Sequence, residues 1–600
     1  VPEVSVPPLV PTAVPGTVAD YPRRWARTQP DRVMLSVRTA PGTWQEVTAA
    51  ELQRRIDTLA KGLLAAGIEA GDRVGLMSRT RWEWTLTDLA LWTVGAVPVP
   101  IYETSSRDQV RWICEDSGAV AVVVEDAAMT ATVSRARDGL DALRDVWQIE
   151  AGALDELAVA GAEVPDEELA RRREELDRGD LATIIYTSGT TGRPKGCEIT
   201  HDNLMSLVEN ATERLAEIVD APGAANLVFL PLAHVFARFI EVVCLHSGVR
   251  MGHTPDASSV LEDLADFRPT FLLAVPRIFE KIHTSAEQTA ARGGTARLRL
   301  FRWATGVAED YSRALDRGTV GPALRVRHAV ADRLVLARLR SALGGRVDYA
   351  ISGGAALGER LGHVFRGTGL VVLEGYGLTE TTAPATVNTP DMMRIGTVGR
   401  PLPGTAVRIE DTGEILVRGV GVFRGYRGDE EATRAAMVDG WLRTGDLGEL
   451  DDDGFLRITG RLKDLIVTAG GKNVSPGPLE DVVRAHPLVS QCVVVGEGRP
   501  FVAALVTLDE QVLPGWLETH GLTGLPPEEV VGHPRVREEL QQAVDTANAG
   551  VSRAESIRSF VVLPEDLSVA SGLLTPSLKV RRSRVVEELA GQIEAIYSRR

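Results

Sequence analysis

Thr187-Ser188-Gly189-Thr190-Thr191-Gly192-Arg193-Pro194-Lys195-Gly196 follows directly on the apolar run Leu181 to Tyr186. The run reads as a buried strand, and the ten residues after it as a loop that receives phosphate. Its glycines let backbone N–H groups converge on an anion without a Cβ in the way, its hydroxyls add rotatable donors, and Lys195 supplies a point charge. The spacing is not that of the common NTPase loop, in which the lysine follows glycine and precedes Ser or Thr, so that a hydroxyl meets magnesium. Here Lys195 stands between Pro194 and Gly196. A metal ligand must come from elsewhere in the chain.

A second segment offers one. Glu374-Gly375-Tyr376-Gly377-Leu378-Thr379-Glu380-Thr381 follows a predicted strand at Leu370 to Leu373, where open α/β sheets hold their ligands. Tyr376 presents a ring that can stack on a purine and Thr379 a hydroxyl for a phosphate oxygen. Glu380 is the hard oxygen ligand missing from the first loop.

Together the two segments resemble the signatures of the adenylate-forming enzymes, the superfamily of acyl-CoA synthetases, luciferases and peptide-synthetase adenylation domains. Ser352-Gly353-Gly354-Ala355-Ala356 is similar to the family's wall between adenine and acyl group. Thr444-Gly445-Asp446 is similar to the segment whose aspartate accepts the ribose hydroxyls, and a carboxylate, as an acceptor-only group, suits a diol. Arg461, in Gly460-Arg461-Leu462-Lys463-Asp464, matches an arginine that reaches the ribose, and Lys463 falls on the family's hinge. His234, in Pro231-Leu232-Ala233-His234-Val235-Phe236, matches the residue lining the carboxylate pocket. Four residues on, Arg238 stands where some fatty-acid-activating relatives carry an aromatic gate. Leu574-Thr575-Pro576-Ser577-Leu578-Lys579-Val580-Arg581-Arg582 resembles the motif of the mobile catalytic lysine, with Leu578 where many relatives have glycine. The resemblance runs from about Gly71 to Arg582 and is greatest to the long-chain fatty acyl-CoA synthetases of actinobacteria.

Composition agrees with an ordinary folded protein. At 600 residues the chain exceeds what one hydrophobic core usually serves. With 44% hydrophobic and 25% charged residues it does not read as disordered. A net charge of −16 argues against nucleic acid as a partner, so anions must be captured locally. Four scattered cysteines without a CxxC pair indicate neither a disulfide framework nor a zinc site, and a cytoplasmic setting is expected. Residues 1–20 show no basic segment ahead of an apolar core, so they do not read as a signal peptide. The most apolar stretch, Leu86 to Ile101, is too broken to span a bilayer.

Thr48 and Glu51 form an expected capping box ahead of a helix carrying Leu52, Ile56, Leu59 and Leu63 on one face. Apolar runs at Arg73 to Ser78, Ala96 to Ile101, Ala119 to Val124, Asn226 to Leu230, Phe271 to Val275 and Val347 to Ile351 read as strands of an α/β sheet, with a helix around Trp82 to Trp92. Between Lys281 and Arg340 arginines mix with Leu, Val and Ala at helical spacing. The pattern predicts a pair of surface helices with a solvated charged face, and such helices also suit contact with anionic lipid or with the phosphates of coenzyme A. Short strands follow from Glu414, then a mixed tail ending in one helix with Val585, Leu589, Ile593 and Ile596 on one side. The predicted architecture is α/β: a large multi-sheet N-terminal domain over residues 1–462 and a small mobile α+β C-terminal domain over 463–600, with the hinge at Lys463.

The resemblance implies an enzyme that joins a fatty acid to coenzyme A at the expense of ATP, through an acyl-adenylate. It further implies Mg2+ on Glu380 and a catalytic group of Lys579, Lys195, Glu380 and His234. The nucleotide would be held by Thr187, Ser188, Gly189, Thr190, Thr191, Gly192, Lys195, Gly354, Ala355, Ala356, Glu374, Gly375, Tyr376, Gly377, Leu378, Thr379, Asp446, Arg461 and Lys579. Peripheral contact of the basic helices 281–340 with the inner face of the membrane is an expectation, and the sequence allows a homodimer. Transfer of the acyl group to a separate carrier protein, a luciferase-type monooxygenase and a nucleotide-binding regulator are the competing readings.

Overall fold

A computed structural model describes residues 2–11, 15–187, 193–255, 259–575 and 579–598. The fold is α/β, with several sheets in the first 460 residues and a smaller three-stranded sheet beyond them. A parallel sheet has the order Val97–Ile101, Arg73–Met77, Ala119–Val124, Asp145–Gln148. Five of the six residues of Ala119–Val124 are buried, as a β-branched run covered on both faces requires. A second sheet joins Ala225–Val228, Arg250–His253, Val33–Ala40 and Thr43–Thr48. The third runs Phe271–Ala274, Tyr349–Ser352, Val371–Leu378, Ala383–Val387, Arg400–Pro401, its first three strands parallel and the rest antiparallel.

The helix Ala49–Ala65 buries Leu52, Ile56, Leu59 and Leu63, each worth about 1.5–3 kcal/mol once removed from water. Its start departs from the expected capping box. Thr48 accepts from the Glu51 N–H at 3.3 Å, but the Glu51 carboxylate bonds Arg55 at 2.7 Å and Arg54 as well. Two guanidiniums one turn along outcompete a single backbone N–H for that carboxylate.

The basic region holds more than a pair of helices. Pro276–Arg292, Thr295–Asp316 and Pro322–Ala331 are α-helices, and the last runs through a π-helical turn, Asp332–Leu336, into Ala337–Ser341. The terminal helix is likewise two, Arg582–Glu588 and Ala590–Ser598, broken where Leu589 leaves helical geometry.

An antiparallel sheet of Glu3–Val6, Thr405–Ile409, Glu414–Gly419, Trp441–Leu450 and Met437–Val438, with Leu456–Arg461 against Trp441–Leu450, leads out of the large region. Beyond it, Val489–Val495, Val502–Leu508 and Ile557–Val562 form their own sheet. Two apolar clusters drawn entirely from residues after 465 fill its two faces.

Candidate active site

Leu181–Thr187 and Lys195–Thr200 form a hairpin in which Thr187 stands opposite Lys195. Residues Ser188, Gly189, Thr190, Thr191 and Gly192 of the expected phosphate loop lie outside the described residues. Its exit is pinned: the Trp112 indole N–H donates to the Pro194 carbonyl at 2.8 Å, and Arg193 lies over the same ring. Lys195 has its ammonium 3.7 Å from Asp429 and 5.0 Å from the centre of the Tyr426 ring. The Tyr426 hydroxyl donates to Glu380 at 2.7 Å, so one tyrosine links the loop lysine to the expected metal ligand. Sequence reasoning missed Tyr426 and Asp429. The short strand Gly425–Tyr426 joins the hairpin by pairing with Cys197 and Glu198, and nothing local announces that.

The strand predicted at Leu370 to Leu373 continues to Leu378. Gly375 and Tyr376 pair with Val387 and Thr386, and a register shift precedes Gly377. The motif is therefore a strand with an irregular edge, and only Thr379–Thr381 forms a turn of helix. A Cβ at Gly377 would stand 1.8 Å from the Ala383 carbonyl oxygen, so only glycine allows this approach. Thr382 and Ala383 both take positive φ, 58° and 104°, conformations that side-chain-bearing residues adopt at a cost.

Glu374, expected beside the nucleotide, has its side chain turned into the protein. Its buried carboxylate accepts from the Leu357 N–H at 2.9 Å, tying the strand to the wall loop, and burial pushes its pKa up to about 7. The wall follows Tyr349–Ser352, with Gly354 at φ 87° and Gly354, Ala355 and Ala356 exposed.

Asp446 and Arg461 stand opposite one another on adjacent antiparallel strands. The Asp446 carboxylate accepts from Arg461 Nε at 2.6 Å on one oxygen and from the Tyr376 hydroxyl at 2.7 Å on the other. Tyr376 is thus oriented by the residue expected to hold the ribose. Lys463 lies exposed in the short turn Leu462–Asp464.

Lys579 enters the same cleft from the small C-terminal region. Its backbone N–H donates to the Thr575 hydroxyl at 3.0 Å and its carbonyl accepts from the Thr575 N–H at 2.8 Å, while Pro576, Ser577 and Leu578 lie outside the described residues. Arg582 anchors the segment with bonds to both Glu480 oxygens, at 2.6 and 2.7 Å. The Lys579 side chain stays exposed, yet partial loss of hydration among the surrounding groups, then the positive charge of Arg461, lower its pKa, opposed by Asp446 and Glu380. His234 caps the helix Val235–Ser247, its Nδ1 accepting from the Phe236 N–H at 3.2 Å. Burial, and after it the charge of Lys579, depress its imidazole to about 4. Residues from four distant parts of the chain thus share one field.

Arg238 is not in that cleft. One turn below His234 it is buried against Asp88 at 2.8 Å and faces the Trp92 ring, while the Trp84 indole donates to the same Asp88 oxygen at 3.0 Å. Thr85 bridges the neighbouring Glu241, at 2.5 Å, to His253 Nε2, at 3.0 Å. Burial and the charge of Asp88 push Glu241 up to about 8, and desolvation depresses His253 to about 3.

A cleft holding a lysine on a glycine-rich hairpin, a carboxylate beside it and a second lysine on a separate domain can bring a nucleoside triphosphate and an organic acid together. That class of α/β enzyme is also the one the comparisons indicate. The AMP-binding enzyme family matches residues 22–427 and its C-terminal domain matches residues 463–600. The chain belongs to this family. It is 48% identical over 601 residues to the long-chain-fatty-acid–CoA ligase FadD15 of Mycobacterium bovis, covering 100% of both chains. Its fold is similar to the adenylation domain of a carboxylate reductase from Mycobacterium chelonae, with a TM-score of 0.75 at 22% identity, covering 97% of this chain and 91% of that one. An anthranilate CoA ligase in complex with anthranoyl-AMP aligns with a TM-score of 0.71 at 18% identity, covering 97% and 99%.

Proposed function

We propose that the chain is an AMP-forming long-chain fatty acid:CoA ligase, working in the cytoplasm on ATP, a fatty acid and coenzyme A. Identity to FadD15 along the whole length supports the substrate class. The observation that carries the chemistry is the Asp446 carboxylate, which accepts from Arg461 on one oxygen and from Tyr376 on the other, with Lys579 near enough to Arg461, Asp446 and Glu380 to feel their charge.

In the first half-reaction a carboxylate oxygen attacks the α-phosphorus of ATP, and the bond from that phosphorus to the diphosphate breaks. Two anions must approach, so the site has to supply positive charge that grows in effect at the transition state. Lys195 acts on the phosphates. Lys579 reaches between carboxylate and α-phosphate, where its positive charge offsets the repulsion of the two anions. Asp446, with one donor on each oxygen, keeps lone pairs for the ribose diol. Magnesium, when bound, adds positive charge to the phosphate oxygens, and Glu380 is the residue that would hold it. Among the described residues no group of three or more metal-ligating side chains occurs, which suits an ion that keeps waters and takes its remaining ligands from phosphate.

In the second half-reaction the CoA thiol attacks the acyl carbon and AMP leaves. The small domain turns about Lys463, withdraws Lys579 and presents the 464–475 segment. Lys579→Ala is expected to slow diphosphate release by about 100- to 1000-fold while leaving conversion of supplied acyl-AMP to thioester intact. Equal loss of both half-reactions would remove Lys579 from this role. Diphosphate release across straight-chain acids of graded length, with and without CoA, tests the substrate class and the acceptor.

A further inference from the structure

Lys579 reaches the cleft because the small domain is seated against the large one, and apolar burial does not account for that seat. Among the described residues each cluster of buried apolar side chains lies wholly before Lys463 or wholly after it. An interface without a shared apolar core is held by polar contacts and parts readily.

Those contacts converge on one residue. Among the described residues, every side-chain hydrogen bond and ion pair that joins a residue before Lys463 to one after it is made by Arg277, the second residue of the helix Pro276–Arg292. Its Nη2 donates to Asp509 at 2.8 Å and to the Ser490 hydroxyl at 3.5 Å, and its Nη1 to the Ser490 carbonyl at 3.4 Å. Asp509 is itself fixed, since its other oxygen accepts from the N–H groups of Gln511 and Val512 at 2.9 and 3.1 Å. Positions 277, 280 and 287 share one face of the helix. Glu280 feels the charges of Arg484 and Asp481, and the charge of Glu287 reaches His486. The helix thus opposes the small domain with a charged face, and Arg277–Asp509 is its direct bond.

The same helix starts at the nucleotide wall. The strand Phe271–Ala274 passes through Val275 into it, and a Cβ at Gly354 would stand 3.9 Å from the Val275 side chain. Arg277 therefore ties the small domain to the part of the large domain that borders the cleft.

We infer that Arg277 is a positioning residue for the adenylate-forming step: its bond to Asp509 seats the small domain with Lys579 in the cleft, and breaks before the domain turns for thioester formation. The inference rests on the two-step reading above, with rotation about Lys463. Arg277 and Asp509 are 44% and 18% exposed, and so open an ion pair is weak, as a seat vacated in every turnover has to be.

The test measures the half-reactions separately. R277A is expected to slow diphosphate release up to about fivefold, the most that an exposed ion pair contributes, and not to slow conversion of supplied acyl-AMP to thioester. D509N, which keeps an oxygen for the Gln511 and Val512 N–H groups, should act in the same direction. R277A/D509N should fall no further than R277A, because both changes remove one bond. R277E, which sets like charge against Asp509, should slow diphosphate release roughly tenfold. Equal slowing of both half-reactions, single losses that multiply in the double variant, or R277E as fast as wild type would overturn the proposal. K579A, measured alongside, separates the inference from its premise. If K579A slows both half-reactions alike, the two-step reading falls and the inference with it; if K579A separates them and R277A does not, Arg277 alone loses its role.

Discussion

Two arginine–aspartate pairs of nearly equal length do opposite work. Arg461 and Asp446 meet at 2.6 Å, with the arginine side chain 43% and the aspartate 6% exposed, and both carboxylate oxygens are supplied with a donor. Arg238 and Asp88 meet at 2.8 Å with side chains 1% and 0% exposed. Around them Arg238 Nε and Nη2, Asp88 Oδ1, Glu241 Oε2 and His253 Nδ1 are buried without a hydrogen-bond partner among the described residues. In the half-open pair, water or a ligand can reach the exposed arginine and take its place at the carboxylate, so the pair is an adjustable holder. In the closed pair nothing can, and each charge depends on the other. The same chemistry becomes a binding device or a structural lock according to its access to solvent.

Substitutions should break this contrast in order of size. Arg238→Ala or Asp88→Ala leaves one charge buried and unpaired, and is expected to destabilise the fold by about 3–5 kcal/mol. Denaturant unfolding measures it. Replacing both residues by apolar ones of similar volume should recover most of that loss, since a buried pair contributes little over a packed apolar core; failure to recover would mean the pair does more than neutralise itself.

Asp446→Ala should do the reverse. Stability is expected to stay close to wild type, while KM for ATP rises about 10- to 100-fold, the worth of hydrogen bonds to a charged acceptor. Initial rates of diphosphate release and a thermal melt together separate the two effects.

The pH dependence sharpens the comparison further. Glu241 titrates higher in the folded protein, at about 8, than its ordinary 4.5. The folded state therefore keeps a proton that the unfolded state releases, and this contribution to stability is lost as pH rises from about 4.5 to about 8. Glu241→Gln should flatten that part of the stability profile. His253 and His234 act at the other end, depressed to about 3 and about 4 from 6.5, so stability falls as pH drops below 6.5 because the unfolded state takes up protons first. Thr48→Ala is the smallest of the expected effects, about 1 kcal/mol for a lost helix cap.

The candidate site was legible where its function is local. A glycine-rich turn after a strand, an aspartate across a strand pair from an arginine and a lysine in a distinctive tail are written in contiguous residues, and the resemblance ordered them. Less legible were residues whose neighbours come from afar. Arg238 looked like a change at the acyl gate. It is instead half of a buried pair whose other half lies 150 positions earlier, and no spacing rule joins them. Glu374 sat inside a binding motif yet its carboxylate is taken up by the Leu357 N–H, 17 positions earlier in the chain, a partner that no local pattern shows.

Sequence alone determined the strands, the two-part division of the polypeptide and the types of group the chemistry needs, since periodicity, glycine placement and motif order act over short distances. Tertiary structure decided which of those groups meet. It set Tyr426 between Lys195 and Glu380, joined Asp446 to both Arg461 and Tyr376, and left Val326, Val330 and Leu334 in solvent. The reason is that charge, burial and hydrogen bonding depend on distance through space, which a linear pattern does not contain until the chain has packed.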